Sequence, residues 1–146
     1  MKDLSFESNW VRRIIQTVCF SVIFLFLFCS CAASPAEYVI TVKGSALESG
    51  VVQYAGLEMN VYADQASNPC GDCPDQPVSI YVGTNAEAVA EAMAEAVTRA
   101  DDIWKVKSCQ NGVLELEEKA EEAGTVKSEP DLSAPKGLEL TGVFNS

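Results

Sequence analysis

The chain contains no histidine. That removes the commonest metal ligand and the side chain most used to move protons near neutral pH. Ser–His–Asp, Cys–His and HExxH chemistries are therefore excluded within this chain. Basic residues are scarce too: 10 Lys and Arg stand against 21 Asp and Glu in 146 residues, a net charge of −11. Nucleic-acid backbones are gripped by clustered Lys and Arg, so no nucleic-acid partner is expected. No nucleophile motif and no metal-ligand set is present, and neither a cofactor nor a metal is expected.

What the chain does have is unevenly distributed. Residues 1–13 carry Lys2, Arg12 and Arg13 against Asp3 and Glu7, and Ile14 to Ala36 carries no charge. The middle of that run, Val22-Ile23-Phe24-Leu25-Phe26-Leu27-Phe28, is continuously apolar. Beyond it stand 7 basic and 19 acidic residues. A basic start, an apolar stretch and then small residues is the layout of a secretory signal. Residues 1–36 are therefore read as an export segment, and three outcomes are open. An ordinary signal peptidase could cut after Ala33 or after Ala36, where small residues occupy the −1 and −3 positions. Phe28-Cys29-Ser30-Cys31 resembles a degenerate lipobox, which makes Cys31 a lipidation candidate and would tether the rest to a membrane surface. Uncleaved, the uncharged run is long enough to span a bilayer as an anchor. Each outcome places the remainder of the chain outside the cytoplasm: extracellular, on the cell surface or in a periplasm.

Of six cysteines, Cys19, Cys29 and Cys31 fall in the export segment. Cys70, Cys73 and Cys109 remain, and an oxidising compartment favours a disulfide among them. Three thiols cannot all pair internally, so one stays free or bonds another chain. Asn68-Pro69-Cys70-Gly71-Asp72-Cys73-Pro74-Asp75 contains a CxxC. Redox CxxC motifs open a helix, whose N-terminus lowers the first thiol's pKa. Here the motif sits in a turn-rich loop, Pro74 comes directly after it, and Asp72 and Asp75 would raise a thiol pKa. A structural clip is the favoured reading over a redox or metal site.

Period-two alternation predicts strands at Glu37–Lys43, Val51–Tyr54, Leu57–Ala63 and Pro77–Gly83. In the third, Leu57, Met59, Val61 and Ala63 are expected to face inward; in the fourth, Val78, Ile80 and Val82. Thr84-Asn85-Ala86-Glu87 has capping-box spacing, with Thr84 as the expected N-cap. Next comes an Ala-rich amphipathic helix, with Val89, Met93, Ala96, Val97, Ala100 and Trp104 on one stripe and Glu95 placed to pair with Arg99. Period two returns at Trp104–Cys109, and Asn111-Gly112 marks a tight hairpin before Val113–Glu118. Lys127–Lys136 carries Pro130 and Pro135 and reads as a linker or extended arm; Leu138–Phe144 reads as a last strand pairing at an edge. The expected fold is α+β: a small antiparallel sheet of about five to six strands on one helix over about residues 85–103. The expected organisation is an export segment (1–36), a ββαββ-like domain (37–126) and a Pro-containing linker with a C-terminal strand or arm (127–146).

The strand at Leu57–Ala63, the strand ending Tyr81-Val82-Gly83-Thr84, the helix Ala86–Ala100, the Asn111-Gly112 hairpin, Leu114-Glu115-Leu116 and Ala123-Gly124-Thr125 lie in sequence order. Together, residues 57–126 resemble the small ββαββ modules of flagellar hook-associated proteins (the hook IN motif) and of phage tail and sheath proteins. The family's short hairpin is here a thirteen-residue Cys-bearing loop, and those relatives need no signal sequence. The resemblance implies a structural or interaction module of extracellular assemblies, without catalytic residues.

The functional expectation is an exported or membrane-tethered, non-enzymatic surface protein acting through contact with other protein chains, by self-assembly or an intermolecular disulfide. The alternative is an exported thiol–disulfide protein using Cys70 and Cys73. A glycosidase-like carboxylate pair, such as Asp101-Asp102 or Glu117-Glu118, is disfavoured because charge runs are usually solvated and adjacent residues point apart. Asp64, Asp72 and Asp75 share one loop without calcium-loop spacing.

Overall fold

The structure, a computed structural model, describes residues 33–69 and 78–146. Among the described residues, seven strands and one α-helix are arranged in the order β1 (Glu37–Gly44), β2 (Gly50–Tyr54), β3 (Leu57–Tyr62), β4 (Ile80–Tyr81), α1 (Ala86–Ala100), β5 (Trp104–Gln110), β6 (Val113–Glu118) and β7 (Leu138–Asn145). The class is α+β, but the strands form two sheets rather than one. A four-stranded antiparallel sheet has the order β5-β6-β1-β7, and a three-stranded sheet has the order β2-β3-β4. The reason is that β1 is paired on both sides, with β6 along one edge and with β7 over all eight residues along the other. No edge of β1 is left for the next hairpin, so β2 and β3 pair with each other and β3 takes the two-residue β4 in parallel.

Alternation decides what each strand buries. Tyr38, Ile40 and Val42 of β1 and Leu114 and Leu116 of β6 are at most 3% exposed. Met59 and Val61 of β3 are buried as expected, whereas Ala63 has left the strand and is exposed. Of the three expected inward residues of the fourth predicted strand, Ile80 is buried, Val78 half-buried and Val82 exposed, because β4 ends at Tyr81. One core cluster joins both sheets to the helix, and the Tyr54 hydroxyl of β2 donates to the Met93 carbonyl of α1 at 3.2 Å.

Two turns carry the left-handed backbone that two-residue hairpins require. Asn111 and Gly112 join β5 to β6 with φ 52° and 76°. Ala55 and Gly56 join β2 to β3 with φ 49° and 82°.

The N-cap of α1 is Asn85, not Thr84. Asn85 Oδ1 accepts from the Ala88 N–H at 2.9 Å. The Thr84 hydroxyl is used elsewhere: it donates to the Tyr81 carbonyl at 2.7 Å and closes the turn after β4. Val89, Met93, Ala96 and Val97 form the buried stripe, while Ala100 is exposed. Glu95 pairs with Arg99 as the spacing predicts. The helix stops at Ala100, short of the expected end, because Asp101 Oδ1 accepts from the N–H groups of Ile103 (2.7 Å) and Trp104 (2.9 Å). That turn moves Trp104 off the helix and makes it the buried first residue of β5. Among the described residues, no helix is long and apolar enough to cross a membrane.

Candidate interaction surface

The four-stranded sheet has two edges that differ in kind. The β5 edge is guarded: the edge strand carries Lys105 and Lys107, and its ladder to β6 shifts between Val106 and Ser108. Lys105 Nζ lies 3.1 Å from Glu117, and Lys107 Nζ donates to Glu37 at 2.5 Å. Lysines and bulges on an edge discourage pairing with another chain. The β7 edge has neither. Its eight residues, Leu-Glu-Leu-Thr-Gly-Val-Phe-Asn, contain no proline, no lysine and one charge, Glu139. Its register with β1 runs unbroken from Leu138 to Asn145. On its outer side β7 pairs with no strand among the described residues. Leu138 is buried, Leu140 and Phe144 are half-buried, and Val143 is 59% exposed on the opposite face.

The segment leading into β7 is an extended arm that is bonded throughout. Gln53 and Ser133 exchange two backbone hydrogen bonds, at 2.9 and 3.1 Å, which covers the free edge of β2. Further along, the Leu47 and Ser45 N–H groups donate to the carbonyls of Lys136 and Gly137, both at 3.0 Å. Tyr38 donates to the Pro130 carbonyl at 3.2 Å and stacks edge-on against Phe144 of β7. Burial, reinforced by the nearby charges of Glu129 and Asp131, pushes the Tyr38 hydroxyl up to about 12. Val126, Leu132 and Ala134 pack on the core, so the arm and β7 belong to one unit running from Ala33 to Ser146. No structural boundary separates residues 37–126 from 127–146.

Where β6 ends, Glu118 is fully buried. Its Oε2 accepts from the N–H groups of Ala36 (3.0 Å) and Gly124 (2.9 Å). Its Oε1 accepts from the N–H groups of Thr125 (2.9 Å) and Val126 (3.0 Å), and from the Thr125 hydroxyl (2.9 Å). Burial alone would raise this carboxyl; the donors from Ala36, Gly124, Val126 and Thr125 outweigh it and bring it down to about 2. Glu118 is thus a knot between the entry to β1 and the start of the arm, not part of a solvated charge run. Its neighbour Glu117 faces the other way, toward Lys105. Asp101 is engaged by the turn after α1, and Asp102 is exposed. Sequence reasoning missed Glu118. The available signal was its parity, since it continues the inward series Leu114, Leu116 on a strand that leads to Gly124-Thr125.

The expected site residues have different fates. Cys31, Cys70 and Cys73 lie outside the described residues. Cys109 sits half-buried on β5, with no disulfide partner among the described residues, beside a surface cleft of about 250 Å³ lined by Glu87, Glu91, Gln110, Asn111 and Gly112. Burial, then the charges of Glu91 and Glu87, raise its pKa, the opposite of what activates a thiol. The two cleavage candidates differ: Ala33 is exposed and outside any strand, whereas Ala36 is buried. Among the described residues no group of three or more Cys, Asp or Glu is placed to hold a metal ion. No family model matches the chain, and neither a curated protein nor a solved structure is similar to it.

Proposed function

We propose that the protein is an exported or membrane-tethered, non-enzymatic surface protein that works by contact with other protein chains, and that the contact is β-strand pairing between two copies through β7. The observation that carries this reading is the unguarded β7 edge beside a guarded β5 edge. Unpaired strand edges present rows of N–H and C=O groups that another strand can satisfy.

The occupant is a second copy because β7 is complementary to itself. A two-fold axis through Thr141 sets Leu138 opposite Phe144, Glu139 opposite Val143 and Thr141 opposite Thr141. An axis through Gly142 sets Glu139 opposite Asn145 and Leu140 opposite Phe144. In both registers inner residues meet inner residues and the single glutamate never meets its own copy. Such an isologous pair closes on itself and does not grow into a filament. Export rests on the basic, apolar and small-residue order of residues 1–36. The ββαββ resemblance is in keeping with an assembly module, although β3 and β4 lie in one sheet and β5 and β6 in the other.

Sedimentation of the exported protein tests the reading. The wild type is expected to dimerise up to about 100 μM, a range that populates interfaces of micromolar affinity. Because both partners are acidic, salt should strengthen the dimer by screening their repulsion. The double variant Thr141→Glu with Val143→Glu, on the exposed face of β7, puts glutamate against glutamate in either register, with Glu139 as the partner of position 143 in the first, and should be monomeric. A monomeric wild type at that concentration in high salt defeats the proposal, and so does a dimer that survives both glutamates.

A further inference from the structure

We infer that Ala36 belongs to the folded domain and is kept in the mature protein, so the processing bond lies at Ala33–Ser34 or upstream, and not at Ala36–Glu37. The inference rests on the reading of residues 1–36 as a removed export segment, and it separates two cleavage candidates that are equivalent by side-chain size.

The geometry at the two bonds is different. Ala36 is 2% exposed and part of the core cluster. Its N–H donates to Glu118 Oε2 at 3.0 Å, and its carbonyl accepts from the Glu118 N–H at 2.8 Å. Glu37, on the other side of the bond, is already the first residue of β1, in register with both Glu117 and Asn145. A protease needs its substrate extended and unpaired, and the Ala36–Glu37 bond in the folded chain is buried and paired. Ala33, Ser34 and Pro35 are exposed and outside any strand.

Cutting after Ala36 before folding does not escape the problem. The product would start at Glu37 and lack both bonds to Glu118. A buried carboxylate would lose one of its donors, the β6 terminus would lose its acceptor, and the core would lose a methyl group. A product starting at Ser34 keeps all three, with Ser34 and Pro35 as a short exposed lead-in. Lipidation at Cys31 would keep them as well.

The experiment is the intact mass and N-terminal sequence of the exported full chain from a secretion-competent host, alongside the variant Ala33→Lys. A chain starting at Ser34, or at Cys31 with the added mass of a diacylglycerol, supports the inference. For a Ser34 start, Ala33→Lys should accumulate unprocessed precursor, because a long cation at −1 does not fit the peptidase. Ala33 is exposed, so this change leaves the core alone. A mature chain starting at Glu37, or Ala33→Lys yielding a Glu37 start, overturns the inference while leaving export intact. A full-length chain retained in the cell overturns the export reading itself, a distinct result in the same mass spectrum.

Discussion

Glu118 is the place where one atom-level change has the most to say about this fold. Glu118→Gln keeps the shape and removes the charge. The two carboxylate oxygens accept from two separate groups of donors, Ala36 and Gly124 at Oε2, Thr125 and Val126 at Oε1. A glutamine has one acceptor oxygen, so whichever way its amide turns, an NH2 faces two N–H groups. The cost is the loss of charge-assisted bonds plus at least one buried donor without an acceptor, about 2–3 kcal/mol. Glu118→Ala leaves all four N–H groups without their acceptor. Gly124 and Thr125 are exposed and can turn to water, so the orphaned Ala36 N–H, the half-buried Val126 N–H and the lost side-chain packing dominate. Their sum is about 3–5 kcal/mol. At about 4 °C per kcal/mol for a domain of this size, the expected drops in Tm are about 10 °C for Gln and about 15 °C for Ala.

The same residue sets a pH dependence. Its carboxyl falls from the ordinary 4.5 to about 2 on folding. A group with a depressed folded pKa favours folding when ionised, so its contribution is complete above 4.5 and is lost as pH falls through about 2. Wild-type stability should therefore decline between pH 4.5 and 2, and Glu118→Gln should show a shallower decline, converging on the wild type at the acid end. Thermal melts monitored by circular dichroism across this range measure both effects. A Gln variant that melts within a degree of wild type at pH 7, or whose acid slope matches wild type, would refute the reasoning: the carboxylate would then be a spectator.

The geometry sets three more outcomes. Gly44→Ala should destabilise by about 2–4 kcal/mol in denaturant unfolding, because Gly44 has φ 83° and a Cβ there collides with the Gly137 carbonyl where β1 meets the start of β7. Asn85→Ala removes the side-chain cap of α1 and should cost about 1 kcal/mol, whereas Thr84→Ser, which keeps the hydroxyl bond to Tyr81, should be near neutral. Cys109 should alkylate more slowly than a free cysteine at pH 8, read by peptide mass mapping, and speed up toward higher pH; a rate at or above the free thiol's contradicts its burial beside Glu91 and Glu87.

Local patterns made much of this fold legible. The β5–β6 hairpin is readable from Asn111-Gly112 between two alternating runs, and those two residues adopt the left-handed backbone that such a turn needs. Alternation in β1 and β6 named the buried residues because each strand has one wet face. The number of sheets was not legible, since it turns on β7 reaching β1 from about a hundred residues away and closing its second edge. Ala63 and Val82 were misplaced because alternation does not say where a strand stops. Asn85 and Thr84 compete for the same cap, and a tertiary detail, the Thr84 bond to Tyr81, decides between them. Glu118 looked like half of a solvated Glu-Glu run because its donors come from residues on both sides of the strand in sequence, Ala36 and 124–126.

The register of β1 constrains how the proposed tether and the proposed contact coexist. Glu37 stands opposite Asn145, so the entry to β1 and the end of β7 lie at the same end of the sheet. Two copies joined antiparallel through β7 put their entry points toward opposite ends of the shared ladder, about 20 Å apart in the Gly142 register and about 27 Å in the Thr141 register at ~3.4 Å per residue. A lipid at Cys31 would leave the short run from Cys31 to Pro35 as tether, at most about 18 Å of chain. Both tethers then reach one membrane only when the ladder lies along the surface rather than upright. An upright ladder instead joins a tethered copy to a released one, or bridges two facing surfaces. Lipid anchoring and β7 pairing are thus compatible in one orientation on a single membrane, and a chain starting at Ser34 carries no such restriction.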